Sequence, residues 1–322
     1  MFSSKYFNSW FCSALVVWGV LFYLYNDLQF LTEHWYYPAI MVVGAFVAGV
    51  TPEGGGAVAF PVLNIFLSID RVMARDFSLM IQSIGMTSAS IFILSHAPRW
   101  QIYKPVLLMI PICFAGFVFG MSFVQTLPVY IIQALFLSLI TAFAVVYSLG
   151  KHRGTLLTLP ALTKADWPYL LLVLFSGGIC ASLFGTGADI ILYTLLVTRL
   201  RLHEKIATHM AIMLMAAISI LGYAYRFFVD DGLSQYQVQT WLCAYPVVLL
   251  MAPLGAFVLS KIDKELMLKG VALLNLAQVG YFLLNKPSVE KALCILLFSS
   301  VLTLLFAYML RALGKQSTLK NE

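Results

Sequence analysis

The sequence predicts an all-α, polytopic membrane protein with two inverted-topology repeats, and three observations lead to this fold class. Hydrophobic residues make up 61% of the 322-residue chain and charged residues only 11%, with a mean hydropathy of +0.90. A soluble domain of this size needs far more polar surface. Apolar runs long enough to cross a hydrocarbon core of ~30 Å recur along the whole chain. Two of these runs carry a Gly-rich interruption at corresponding places.

The apolar stretches follow one another without a soluble domain between them. They cover residues 10–25, 36–69, 77–95, 105–124, 128–149, 167–198, 207–229, 239–260, 266–284 and 289–310. Polar and bulky residues follow the first stretch in place of a small-residue cleavage site, so we expect a retained span and not a signal peptide. As one continuous helix at ~1.5 Å per residue, 36–69 would be about 51 Å long. It must therefore be tilted, broken or folded back.

Loop charges favour the folded-back arrangement. With Gly-rich hairpins at 36–69 and 167–198 and an inner N-terminus, most of the 20 Lys and Arg residues lie on the inner side, as the positive-inside rule requires. The exceptions, which lie on the outer side of the membrane or near it, are Arg71, Arg75, Arg226, Lys286 and Lys291. We therefore expect about eight full transmembrane helices plus two re-entrant or broken Gly-rich helical hairpins, with both termini cytoplasmic. The sequence leaves open whether the breaks are re-entrant hairpins or unwound spanning helices.

The two halves repeat. A shift of 177 − 44 = 133 residues places Gly44 on Gly177 and Gly54 on Gly187 without a gap. One hairpin plus three spans crosses the membrane an odd number of times, so the second copy is inverted, as alternating access requires. We expect one transmembrane domain over 1–322. Its parts are an N-terminal extra span (1–35), a first repeat (36–149), a basic cytoplasmic linker (150–166), a second repeat (167–284) and a C-terminal span and tail (285–322).

The Gly-rich interruptions are the predicted substrate site, because a backbone break at membrane depth is tolerated only beside protein or a watery cavity. Helix N-termini at the breaks offer unpaired N–H groups to an anion, glycine lets the backbone approach it, and hydroxyl or amide groups add donors or polar lining. The predicted substrate-binding residues are Thr51, Gly54, Gly55, Gly56, Gln82, Ser182, Gly185, Thr186 and Gly187. The alternative is that these glycines only let helices pack closely.

Two carboxylates and one histidine are the predicted ion-coupling residues. Glu53 and Asp189 lie at the breaks, where a charged side chain costs roughly 2.5–3.5 kcal/mol on insertion scales and usually serves a proton or ion pathway. The alternative for both is a helix N-cap. His209 lies on the span after the second hairpin, and a histidine there either serves as a group that can titrate near neutral pH or makes an ordinary polar contact. Arg226, near the outer end of the same span, is expected to snorkel to the interface.

One motif resembles a known family. The run from Gly54 to Pro61, with three consecutive glycines and a proline after four residues, is similar to the signature of the TauE/SafE sulfite exporter family. The second Gly-rich stretch and the residues from Glu204 occupy the place of the family's second copy. The chain departs from the pattern in having Pro52 and Glu53 before the glycines, and no triple glycine in the second copy. The resemblance implies a multi-pass transporter of sulfite, organosulfonates or other sulfur-containing anions in the cell inner membrane.

These observations favour a secondary transporter that moves a small anion by alternating access, with a proton or cation such as sodium as the candidate coupling ion. A channel is the first alternative, because re-entrant loops also form selectivity filters. An enzyme is not expected, since neither His-Glu-x-x-His nor Gly-x-Ser-x-Gly occurs; an aspartyl-type dyad of the two buried acids is the remaining enzymatic alternative. We expect a lipid bilayer as surroundings, no cofactor, no metal and no nucleic-acid partner. Substrate, direction, coupling ion and oligomeric state stay open.

Overall fold

The structure is a computed structural model that describes residues 4–149, 154–230, 232–259, 261, 273, 276–284 and 289–318. Within these residues the chain is helical, and the extended backbone pairs at one isolated bridge between Leu156 and Leu202. Part of the predicted basic linker, with Lys151 and Arg153, lies outside the described residues, as does about half of the predicted span 266–284.

Two capped helices precede the predicted first repeat. Helix α1 spans Lys5–Tyr25 and begins after Ser4, whose hydroxyl accepts a hydrogen bond from the Phe7 amide. Helix α2 spans Leu28–Glu33 and begins after Asp27, whose carboxylate accepts from the Phe30 amide at 2.6 Å. Both caps satisfy amides that a helix start leaves without partners.

The remaining helices follow in two series. The first contains α3 (Tyr36–Val50), α4 (Gly56–Pro61, continued by a π-helical turn, Val62–Phe66), α5 (Arg71–His96), a 3₁₀ turn (Trp100–Tyr103), α6 (Val106–Phe119, continued by a π-helical turn, Gly120–Val124) and α7 (Val129–Leu149). The second contains α8 (Trp167–Phe184), α9 (Ala188–Thr198), α10 (Glu204–Phe228) and α11 (Gln235–Leu259). Helical residues 276–284 and the C-terminal helix Val289–Thr318 complete the described chain.

Six of the described helices are long and apolar enough to cross a membrane, so the protein is a multi-pass membrane protein. They are Lys5–Tyr25, Arg71–His96, Trp100–Val124, Trp167–Phe184, Glu204–Phe228 and Gln235–Leu259. Shorter apolar helices include Tyr36–Val50, Gly56–Phe66 and Ala188–Thr198. The predicted total of eight spans stays a prediction.

Each Gly-rich break lies between two helices that turn back on each other. An ideal Cβ added to Gly55, at the start of α4, would lie 3.5 Å from the carbonyl oxygen of Gly44, which is well inside α3. In the same way, an ideal Cβ added to Gly177, inside α8, would lie 3.1 Å from the Cα of Ala188, the first residue of α9. The second helix of each pair thus starts beside the middle of the first.

The helices of the two series pack crosswise. Helix α3 packs on α11, and α8 packs on α6. Glycines allow both contacts: a Cβ at Gly49 would lie 2.0 Å from the Ala252 carbonyl, and one at Gly178 would lie 1.9 Å from the Cys113 carbonyl. Because no side chain stands between the backbones, the helices approach as closely as small residues permit.

Helices α5 and α10 form the central pair and run in opposite directions. The start of α5 contacts the end of α10 through Asp76 and Arg226, and the turn after α5 contacts the start of α10 through Tyr103 and His209. Helix α5 begins at Arg71 because the Asp70 carboxylate accepts hydrogen bonds from two amides of its first turn.

The described part of the linker contacts the end of α9 through an ion pair and a cation–π contact. The Arg199 Nε donates to Asp166 Oδ1 at 2.8 Å, and the Arg199 guanidinium lies 4.0 Å above the Tyr169 ring. Asp166 also accepts from the Thr163 amide and hydroxyl. Burial raises the pKa of Asp166, but the hydrogen bonds from Thr163 and the charge of Arg199 outweigh it and hold that pKa below its usual value.

Candidate functional site

The first break is a tight turn between α3 and α4. Helix α3 ends when the Thr51 hydroxyl donates to the Val47 carbonyl at 2.9 Å and accepts from the Glu53 amide at 3.2 Å. Gly54 follows with φ +69°, a conformation that favours glycine. The sequence therefore forms the turn with one hydroxyl and one left-handed glycine.

Gly54 faces three polar atoms from the rest of the molecule. A Cβ at this position would lie 2.4 Å from Asp189 Oδ2, 2.6 Å from Gln82 Oε1 and 2.9 Å from Thr186 Oγ1. These distances are far below van der Waals contact, so only a glycine fits. The backbone of the first break is thus in direct contact with the second break and with α5.

The second break contains two left-handed glycines, Gly185 with φ +75° and Gly187 with φ +110°. Asp189, in the first turn of α9, accepts from the amides of Gly187 and Ile190 through Oδ1, both at 3.0 Å. This carboxylate therefore already occupies part of the N-terminus of α9, where unpaired amides and the helix dipole favour negative charge.

The two breaks meet at one hydrogen bond. The Thr186 hydroxyl donates to the Glu53 carbonyl at 3.1 Å. These two residues are 133 positions apart, which equals the predicted repeat shift, so each is the counterpart of the other in the predicted repeat. We name the meeting point of the two breaks the junction, formed by Glu53, Gly54, Gln82, Thr186 and Asp189.

Gln82 fastens the second break to α5. Its Nε2 donates to the Gly185 carbonyl at 2.5 Å and to the Ser78 carbonyl at 3.0 Å. Because both partners are acceptors, the amide orientation is fixed, and Oε1 is the atom that faces Gly54. Gln82 Oε1 and Asp189 Oδ2 are buried and have no donor in the described structure. The junction therefore presents two unsatisfied oxygen acceptors around one glycine.

The junction is closed to solvent. Every residue from Thr51 to Pro61 and from Ala181 to Ile190 is buried. Beside Gly55 lies a small apolar cavity of about 10 Å³, whose one polar lining side chain is Gln82. The other lining residues are Met41, Ala45, Ala48, Ile81, Gly85, Met86, Val248 and Ala252.

Most of the predicted site residues come together at the junction. Besides the five that define it, the structure brings Gly56, Gly185 and Gly187 there; a Cβ at Gly56 would lie 2.6 Å from Gln82 Nε2. Thr51 forms the first turn, and Gly55 borders the cavity. Whether these residues bind a substrate stays a prediction.

Two predicted residues have their side chains elsewhere. The Ser182 hydroxyl donates to the Ile179 carbonyl of its own helix at 2.7 Å and lies against Gly120. His209 Nδ1 shares a hydrogen bond of 2.9 Å with the Tyr103 hydroxyl, near the start of α10. Neither side chain contacts the junction in the described structure.

Sequence reasoning missed a buried ion-pair cluster near the junction. Asp76 accepts from the guanidinium groups of Arg75 and Arg226 and from the Gln237 amide. The expectation that Arg226 snorkels was wrong: this residue is 8% exposed, because Asp76 and Asp230 pair with its charge inside the bundle. The 133-residue shift, which places His209 on Asp76, was the one sequence signal that pointed here.

The fold and the junction define a class: a polytopic helical membrane protein in which two hairpin breaks meet inside the bundle. The family model described as Sulfite exporter TauE/SafE matches residues 36–283, more than half of the chain. The chain therefore belongs to the TauE/SafE sulfite exporter family, a family of membrane transporters. Comparison with curated proteins and with solved structures gives no match.

Proposed function

We propose that this protein is a secondary transporter of a small anion, sulfite or an organosulfonate or other sulfur-containing anion, working by alternating access in the cell inner membrane. One observation carries the proposal: the hydrogen bond from Thr186 to the Glu53 carbonyl joins equivalent positions of the two Gly-rich breaks. In a protein of two inverted repeats, equivalent residues touch each other only on the axis that relates them, which is where such transporters bind substrate.

Inverted repeats are supported by the element boundaries. Helices α5 and α10 begin at Arg71 and Glu204, and 204 − 71 = 133. The crosswise packing has the same symmetry, since the shift carries α3 onto α8 and α6 onto α11. The α3–α11 and α8–α6 contacts are then two copies of one interface. The proposed topology keeps both termini on the cytoplasmic side.

Coupling to a proton or a cation is proposed because the Asp189 carboxylate already occupies the N-terminus of α9. Asp189 accepts two amides there, so a cargo anion that approaches the same amides meets a carboxylate. Like charges at one buried site are costly, and protonation of the carboxyl or a bound cation removes the conflict. We therefore assign Asp189 as the coupling carboxylate, with the fully buried Glu53 as the carboxylate that the first break contributes.

A closed junction favours a carrier over a channel. All residues of both breaks are buried, and the cavity beside Gly55 is small and apolar. A channel needs a continuous polar path, whereas a carrier passes through an occluded state.

Thermal stabilisation of the purified protein by an anion panel tests the cargo class. The panel contains sulfite, sulfate, short alkanesulfonates and matched carboxylates. A ligand that binds the native state raises its apparent stability by mass action. We expect sulfur anions to raise the Tm of the wild type, and Thr186→Val to abolish the shift. Thr194→Val is the matched control, because its hydroxyl bonds only the Ile190 carbonyl of its own helix.

Variants and flux separate the parts of the proposal. Gly55→Leu places a bulky side chain against Met41 and Ala48 beside the first break and is expected to abolish the response to sulfur anions. In reconstituted vesicles, Asp189→Asn and Glu53→Gln are expected to change the pH or sodium dependence of flux. A panel in which only carboxylates act would overturn the sulfur cargo. Unsaturable flux with large single-molecule currents would replace the carrier by a channel, and unchanged ion dependence would remove both carboxylates from coupling.

A further inference from the structure

The central α5–α10 pair is fastened at both of its ends by contacts between the two halves. We propose that Asp76 and His209 are the two gate residues of the transport cycle, each closing one end of this pair. The two positions are equivalent under the repeat, because 76 + 133 = 209. This inference rests on the alternating access proposed above, and it gives His209 a role at a gate in place of ion coupling.

The first gate is charged. Arg226 places Nε 3.1 Å from both carboxylate oxygens of Asp76 and Nη2 3.0 Å from Oδ2. Gln237 donates to Oδ2 at 2.8 Å, and Arg75 donates to Oδ1 at 2.8 Å. Asp76 belongs to the first half, whereas Arg226 and Gln237 belong to the second. The end of the bundle at Asp76 therefore opens only if these cross-half bonds break.

The second gate is a single hydrogen bond between His209 and an uncharged tyrosine hydroxyl. The Tyr103 hydroxyl, in the turn after α5, shares its hydrogen bond with His209 Nδ1 at 2.9 Å. Both residues are buried, with exposures of 7% and 8%. Here the histidine comes from the second half and the tyrosine from the first, so the halves are joined in the reverse sense. Along α10 the two gates are 226 − 209 = 17 residues apart, which is about 26 Å at ~1.5 Å per residue.

The junction lies between the gates and is in contact with the first. A Cβ at Gly185 would lie 2.5 Å from the Arg75 carbonyl and 2.6 Å from Ser78 Cβ. The second break thus rests on the turn of α5 that carries Asp76. Gln82, six residues further along α5, reaches the same break. A movement of the second break on cargo binding is therefore passed directly to the residues that hold the first gate.

The two gates differ in strength. Charge-assisted hydrogen bonds to a carboxylate are roughly twice as strong as neutral ones, and Asp76 accepts several of them. Opening at the Asp76 end therefore costs more than opening at the His209 end. With both contacts formed, the structure corresponds to an occluded state.

Side-specific labelling of a cysteine at the junction tests the gates. Gly55→Cys is the reporter, in a protein whose five native cysteines are replaced by serine. A side chain there meets its nearest neighbours at 3.4–3.6 Å, which is ordinary contact. Membrane-impermeant thiol reagents are added to either face of oriented vesicles without any anion. We expect Asp76→Asn to raise labelling several-fold from one face and Tyr103→Phe to raise it several-fold from the other.

Matched variants separate gating from general loosening. Asp230→Asn removes a partner of Arg226 that lies just after α10 in the same half, and it leaves the cross-half bonds, so it is expected not to change sidedness. Arg226→Lys keeps the charge and loses the two-pronged contact, so it replaces Asp76→Asn if that protein does not fold. Increases from the same face for both gate variants, or no labelling from either face, would overturn the proposal. Since no anion is present, this result is independent of the cargo.

Discussion

Replacing Gly54 by alanine is the most direct test of the junction. The new Cβ would lie 2.4 Å from Asp189 Oδ2 and 2.6 Å from Gln82 Oε1. Neither atom can swing away cheaply, because each side chain is held by two hydrogen bonds. The left-handed backbone costs a non-glycine residue about 1–2 kcal/mol, and overpacking adds about 1–3 kcal/mol. We expect a destabilisation of about 2–5 kcal/mol.

The neighbouring glycine supplies the control. Gly55 has an ordinary φ of −68°, and a Cβ there would meet Met41, Gly44 and Ala48 at 3.4–3.6 Å. Gly55→Ala is therefore expected to stay within about 1 kcal/mol of the wild type. Thermal unfolding of both purified variants in detergent measures the difference. If Gly54→Ala is as stable as the wild type, or both variants lose the same stability, the described junction is wrong.

Two further predictions concern packing and pH. Gly178→Ala would place a Cβ 1.9 Å from the Cys113 carbonyl and is expected to cost about 3 kcal/mol or more. Gly19→Ala meets nothing within 4 Å and should gain up to about 1 kcal/mol in helix propensity; equal Tm values for the two variants would contradict the packing. Because folding lowers the pKa of Asp166, its bonds with Thr163 and Arg199 contribute their full stability above the unfolded pKa of about 3.9, and this stability is lost as the pH falls from there through the lower folded pKa. Asp166→Asn should therefore lower the free energy of unfolding at neutral pH by at most about 1 kcal/mol, which is seen as a lower Tm. The difference in Tm from the wild type should disappear in acid.

The breaks could be predicted from sequence because their signal is local. Thr51 to Gly56 and Gly185 to Asp189 interrupt apolar runs with residues that end helices, and the helices do end at Val50 and Phe184. The contact between Glu53 and Thr186 was not predicted, although the two residues are separated by the same 133 positions as the predicted repeats. Family membership was likewise readable from the glycine motif.

The ion-pair cluster could not be predicted in the same way. Asp76 and Arg226 are 150 residues apart, and only the packing of α5 on α10 brings them together. The first turn of α5 is charged, so hydropathy started that span at residue 77, whereas the helix begins at Arg71. For Ser182, the sequence cannot tell whether a hydroxyl faces a cavity or its own helix, as it does here.

The crosswise packing of the helices constrains how the protein is made. Helix α3 needs α11 to cover Gly49, and α11 begins 235 − 50 = 185 residues after α3 ends. We therefore expect the first half to enter the bilayer during translation with this small-residue face not yet covered, and to mature only when the second half arrives. A gene split in the linker should yield two fragments that are each degraded alone and that accumulate when they are produced together.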